Sequence, residues 1–210
     1  MLLFSFNLTM VSSKIAVSQI SNEQWILLGL WIIHYFNRAV VSTFRTPSMK
    51  PSPFVIMLMA IFFNVVNGYI NGYSMATMTA QDFKRETFMA GIAIFFLGMF
   101  GNIISDNKLM NLRKNQGGPV TRSTEQGKPG QYFIPNGWLF DYVACPNYFC
   151  EIVEWTGFAI ATNLQIAPCL FVLMTIANLL PRAVSTRRWY SEYFKSKYPA
   201  SRKALIPFIL

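Results

Sequence analysis

Charge is scarce in this chain. Only 13% of its 210 residues are Asp, Glu, Lys or Arg, about half of what a soluble globular domain carries. So few charges cannot clothe a soluble domain of this size. Histidine occurs once, at His34, and the three cysteines, Cys145, Cys150 and Cys169, form no CxxC pair. That excludes a zinc site of the Cys/His kind and a disulfide framework. Neither GxGxxG nor a Gly-Lys-Ser/Thr phosphate loop is present, and Gly117 and Gly118 stand alone. The apolar start MLLFSF has no basic stretch ahead of it, so it does not read as a cleaved signal peptide.

What the chain has instead is apolar mass, 53% of residues, gathered in long runs. Runs of this length are membrane spans. The hydropathy predicts one over Trp25–Val41, a second over about Phe54–Met75 and a third over about Phe88–Ile104. The apolar stretch from Phe149 to Leu180 is too long for one span. Asn163, Gln165 and Pro168 divide it into a hairpin of 149–163 and 167–181. The fold class is therefore all-α, an integral membrane helical bundle of about five spans. Residues 1–23 are poorly patterned, and 24–210 form the membrane domain. Asn67/Asn71 and Gly68/Gly72 are i, i+4 pairs, suited to close helix contact with amides bonding across it. Residues 115–131 read as a flexible polar loop, and the basic aromatic tail as a helix along the membrane surface.

The formal charge of +9 sits between the apolar runs. This is a topology pattern and not a nucleic-acid face. Alternate loops are basic, which places 42–53, 107–131 and the C-terminus in the cytosol. The chain is organised around 132–155, where a Pro135-Asn136-Gly137 turn leads into a span carrying Glu151 and Glu154. Carboxylates at the mouth of a span mark a functional site. Taken alone, the other polar residues have plainer roles. Tyr35 suits the membrane interface, Asp106 a span end, Arg113 and Lys114 topology, and Arg182, Arg187 and Arg188 anionic lipid. His34 and Glu154 suit structural packing.

Several motifs resemble one family. H-Y-F-N-R at 34–38, L-G-M-F-G-N-I-I-S-D at 97–106, L-R-K at 112–114, I-P-x-G-x-L-F-x-Y-V-x-x-x-N-Y-F-x-E-I-V-E-W at 134–155 and Y-P-x-S-R-K-A-L-I-P-F at 198–208 resemble the steroid 5-alpha-reductases, in the same order, over about residues 24–210. The resemblance implies a seven-span, NADPH-dependent enzyme of the endoplasmic reticulum membrane with a cytosolic C-terminus. It implies reduction of a carbon–carbon double bond conjugated to the 3-oxo group of a steroid or similar lipid-like enone, without metal or nucleic acid. Tyr35 matches the catalytic donor to the 3-oxo oxygen. Asn102, Ser105, Asp106 and Arg113 match the cofactor segment after the third span. Tyr132, Asn147, Glu151 and Trp155 match its continuation, with Glu151 holding the nicotinamide carboxamide. Arg182 and Tyr190 match the phosphate and adenine end. Family members carry two further spans before the Tyr35 span, one with a glutamate that pairs with the tyrosine. By that measure this chain is expected to lack them. Reductases of enoyl-CoA or polyprenol substrates share the architecture, and a truncated inactive relative acting only as a membrane protein is the other alternative.

Overall fold

The computed structural model describes residues 20–46, 53–114 and 132–210, with the side chains of residues 113 and 114 excepted. It is an all-α membrane bundle, with no strand among the described residues. Helix α1 is Asn22–Phe36, α2 Phe54–Thr77, α3 Arg85–Lys114, α4 Pro146–Ala161 and α5 Ile166–Phe194. Four helical segments are long and apolar enough to cross a membrane: Asn22–Arg45, Phe54–Thr77, Arg85–Leu112 and Ile166–Lys197. At 16 residues α4 is about 24 Å long, short of a hydrocarbon core of about 30 Å.

Contacts divide the chain into two compact units. One comprises Met1–Val40, Lys50–Phe95 and Trp155–Val172, and the other Val41–Met49, Phe96–Glu154 and Leu173–Leu210. In the first unit, Ser21 and Gln24 form a reciprocal cap at the start of α1, through Gln24 N–H to Ser21 Oγ (3.2 Å) and Ser21 N–H to Gln24 Oε1 (2.9 Å). The Gln24 amide also donates to Met75 O (2.8 Å) and Met78 O (3.0 Å). One side chain thus satisfies orphan groups of two helices, the α1 N-terminus and the α2 C-terminus. Helix α1 runs on through a π-helical stretch, Asn37–Val41, into a last turn, Ser42–Arg45.

Helix α2 begins directly after Pro53, whose fixed φ suits a helix start. Its buried residues, Asn67, Gly68, Asn71, Gly72, Met75 and Ala76, form one stripe. The rest faces outward, with Phe54 and Phe62 66% and 71% exposed, as lipid contact requires. The asparagines were expected to bond across a helix interface. Instead Asn71 Nδ2 donates to Asn67 O (3.0 Å) and Oδ1 (2.9 Å), and Asn64 Nδ2 to Ala60 O (2.8 Å). An amide on a helix face lies within reach of the carbonyl one turn back, and Asn64 and Asn71 use it.

The hairpin predicted near Asn163 is present. Asn163 and Leu164 take positive φ (53° and 59°), and Leu164 N–H closes onto Ala159 O at 2.8 Å. Pro168 lies in the first turn of α5, where a missing N–H costs nothing. The other end of α5 departs from the sequence reading. The tail was expected to leave the span near 181 as a separate surface helix, but α5 continues through Pro181 to Phe194. Its neighbours in the second unit hold it there. Ala183 is fully buried in a core with Ala144, Cys145, Ala204 and Leu205, and that packing outweighs the one hydrogen bond the proline removes.

Beyond α5 the chain folds back. Lys203 pairs with Val143 in a parallel bridge, with Ala144 N–H on Lys203 O and Lys203 N–H on Tyr142 O, both at 2.8 Å. Arg202, 2% exposed, donates to Pro135 O (2.9 Å) and Asn136 Oδ1 (3.2 Å). The S-R-K-A-L-I-P-F motif therefore ties the tail to the Pro-Asn-Gly turn that opens 134–155.

Candidate active site

In the second unit, α3 and α4 approach closely at two glycines of α3. A Cβ on Gly98 would lie 2.6 Å from Glu154 Cα, and one on Gly101 would lie 2.6 Å from Cys150 Sγ. Both are closer than any side chain tolerates, so the glycines set the helix separation. That approach brings Asn102, one residue past Gly101, onto the first turn of α4. Asn102 Nδ2 donates to Asn147 O (2.9 Å), and Asn147 Nδ2 donates to Asp106 Oδ1 (3.2 Å). The three residues are thus linked, Asn102 to the main chain of Asn147 and the Asn147 side chain to the Asp106 carboxylate, with Asn102 buried. Glu151 follows Asn147 by one turn on the same face of α4 and is half-buried. Ser105 is fully buried, but its hydroxyl is used within α3, on Gly101 O at 2.7 Å.

Of the residues nominated from the sequence, Asn102, Asp106, Asn147 and Glu151 are thus brought to one place. Tyr132 lies in another group of the same unit, edge-on to Trp189 (4.8 Å between ring centroids) and Tyr193 (5.5 Å). Tyr190 stacks parallel on Tyr198 at 5.5 Å, with the Arg202 guanidinium 5.3 Å from the Tyr198 ring. Arg182 is exposed on α5. The Arg113 side chain and the 115–131 loop lie outside the described residues.

Tyr35 belongs to the first unit and to an aromatic cluster there. Its ring stacks on Trp31 (5.5 Å, 27°) and meets His34 edge-on at 5.2 Å. Trp155, 1% exposed, is the hub of the cluster. Its ring is 4.5 Å from His34, 4.9 Å from Trp31, 4.6 Å from Phe171 and 6.2 Å from Tyr35. The structure therefore places Trp155 against the proposed catalytic tyrosine, whereas the sequence grouped it with the cofactor residues. Rings of Trp31, His34 and Trp155 flank the Tyr35 ring, which is half-buried.

Sequence reasoning did not nominate Trp31, Phe171 or Arg202. Trp31 and Tyr35 are spaced i, i+4, which is the one local signal available. Phe171 reaches Trp155 only through the hairpin turn, and Arg202 reaches Asn136 across 66 residues of sequence.

A family model described as 3-oxo-5-alpha-steroid 4-dehydrogenase matches residues 50–210. The steroid 5-alpha-reductase DET2 of Gossypium hirsutum is 40% identical over 196 residues, covering 89% of this chain and 70% of that protein. The 3-oxo-5-alpha-steroid 4-dehydrogenase 1 of Rattus norvegicus is 39% identical over 188 residues, 88% of this chain and 67% of that protein. An uncharacterized protein of Schizosaccharomyces pombe is 36% identical over 192 residues. The chain belongs to the steroid 5-alpha-reductase family. This is a family of oxidoreductases, and its matched region contains the whole Asn102–Asn147–Asp106 chain, Glu151 and the Arg202 tie. Tyr35 precedes the region of the family model, and the reductase of cotton, aligned over 89% of the chain, extends the likeness beyond it.

Proposed function

We propose that the chain reduces the carbon–carbon double bond of a 3-oxo-4-ene steroid with NADPH, giving the 5-alpha-reduced ketone. The observation that carries this reading is the Asn102–Asn147–Asp106 chain, one turn from Glu151, in a member of this family. A carboxamide presents one acceptor and two donor hydrogens. A half-buried carboxylate beside fixed amides matches that set, so the residues fit a nicotinamide group. NADPH, when bound, supplies the hydride that the beta carbon of the enone receives. Asn102 and Asn147 would hold the polar wall in one geometry, and Glu151 would accept from the carboxamide N–H groups. Arg113 and Arg182 are the cations assigned to the 2′-phosphate end, where a planar guanidinium suits phosphate. Tyr35 donates its hydroxyl hydrogen bond to the 3-oxo oxygen as negative charge builds there, and the resulting enolate takes a proton from solvent water at the alpha carbon. The rings of Trp31 and Trp155 beside Tyr35 hold its ring in place for that hydrogen bond.

The same reading puts the protein in the endoplasmic reticulum membrane with its C-terminus in the cytosol, where the basic tail is expected. The test has two arms on membranes expressing the chain. NADPH should quench protein fluorescence saturably and more tightly than NADH, and a 3-oxo-4-ene steroid should yield its 5-alpha-reduced product. Absence of NADPH binding rejects the cofactor assignment. Binding with turnover of an enoyl thioester or a polyprenol derivative, but no steroid, reassigns the substrate.

A further inference from the structure

Val184, Arg187, Arg188 and Ser191 occupy one face of α5, at i, i+3, i+4 and i+7. The returning tail from Lys203 to Leu210 covers that face, and a cavity of about 390 Å³ lies between them. Its polar lining is Arg187, Arg188, Ser191 and Lys203, and the rest is apolar, including Val184 and Ile209. Among the described residues, no Asp or Glu side chain and no aromatic ring lines it. Arg187 is held by its own donors, Nε to Arg202 O (2.7 Å) and Nη2 to Ala200 O (3.4 Å). These bonds are to neutral carbonyls and bring no negative charge to Arg187. Neither the Arg188 nor the Lys203 side chain makes a hydrogen bond or ion pair with a described residue. Among the described residues that line the cavity, the carboxylate at Leu210 is the one acidic group beside these three cations, and its carbonyl oxygen already accepts from Leu205 and Ile206 N–H.

We infer that this cavity binds the phosphate headgroup of an anionic membrane lipid. Clustered cations around a cavity call for an anion, and their fork and ammonium groups suit phosphate oxygens. The apolar half is suited to the glycerol and upper acyl carbons of an amphiphile. A dinucleotide has no such part, and its bases want ring stacking that this cavity does not offer. The cavity also sits near the end of the segment Ile166–Lys197, which is long and apolar enough to span the bilayer. Juxtamembrane cations at that level meet anionic headgroups directly.

The test uses the full chain in detergent, titrated with phosphatidic acid and observed by native mass spectrometry. Phosphatidic acid should remain bound and phosphatidylcholine should not. The double variant Arg188→Gln/Lys203→Gln should weaken phosphatidic acid binding about thirtyfold, from two lost surface cations. Arg187 is left in place because it holds the tail, and an unchanged thermal unfolding profile certifies the fold of the variant. Rising salt should weaken binding to the parent chain more than to the variant. Equal binding of the neutral lipid, or undiminished binding by the variant, overturns the proposal. Displacement by inorganic phosphate at concentrations comparable with the lipid reassigns the site to free anions. Displacement by NADPH reassigns it to the cofactor. Either result also overturns the lipid assignment.

Discussion

Glu151 and Tyr35 carry separable parts of the proposed chemistry, and single substitutions distinguish them. Glu151→Gln keeps the shape and removes a charged acceptor, an interaction worth about 1.5–3 kcal/mol. NADPH affinity should fall about tenfold or more, read as a shift in the fluorescence titration. Tyr35→Phe keeps the ring stack on Trp31 and removes the donor. Loss of one such donor costs on the order of 100- to 1000-fold in rate, while NADPH affinity should stay as it was. A Tyr35→Phe protein with full activity removes Tyr35 from the ketone. Tyr198 offers a pH readout of the tail fold. Burial raises its phenol above the ordinary value of 10.0, although Arg202 and Arg187 pull it down. The neutral phenol is thus the form that folding favours. Its contribution is fully present below the unfolded value and is lost as pH rises through the folded one. In an alkaline ultraviolet titration one tyrosine should ionise after the exposed ones, and Tyr198→Phe should delete that late step.

At the scale of elements, the α3–α4 contact depends on what each glycine meets. Gly98 faces backbone, Glu154 Cα and Cys150 O, so a Cβ there can be accommodated only by moving a helix. Gly101 faces the Cys150 side chain, with Sγ at 2.6 Å and Cβ at 3.4 Å. Gly101→Ala should therefore destabilise the protein and loosen NADPH binding, and adding Cys150→Ala should restore most of both. No change at Cys150 should rescue Gly98→Ala, because the clash there is with main chain. Equal rescue at the two positions would mean the helices separate freely, and the glycines would lose their assigned role. The spans of α1, α2 and α3 were legible from hydropathy because each is one uninterrupted run. The hairpin was legible from Asn163. The extension of α5 through Pro181 was not, because its cause is the burial of Ala183 against a tail that returns from residue 204. The aromatic cluster was hidden for the same reason, since Trp31, Trp155 and Phe171 are distant in sequence and carry no shared local pattern. The polar residues of α3 and α4 could be nominated from motifs, but the bond from Asn102 to a backbone oxygen of Asn147 leaves no mark in a sequence.

At the scale of the whole molecule, the distribution of basic residues sets the expected membrane orientation. Fourteen of the 18 Lys and Arg residues lie in 42–53, 107–131 and 182–210, and two lie in 76–87 beside Asp82 and Glu86. Cationic loops are retained in the cytosol, so Ser196 is expected on that side and Gln81 in the lumen. Cysteine labelling on sealed microsomes reads this directly, and the chain is suited to it. Burial pushes the Cys145 thiol up to about 11, where it is almost wholly protonated at neutral pH and slow to react. Cys150 is buried, and Cys169, partly exposed, can be replaced by serine. A Ser196→Cys variant should then react with a membrane-impermeant maleimide before permeabilisation, and a Gln81→Cys variant only after it. The reverse pattern would place the basic tail in the lumen. It would put Arg182 and the Asn102–Asn147–Asp106 chain away from the cytosolic pool of NADPH that the proposed reaction draws on, and the cofactor assignment would fall with the topology.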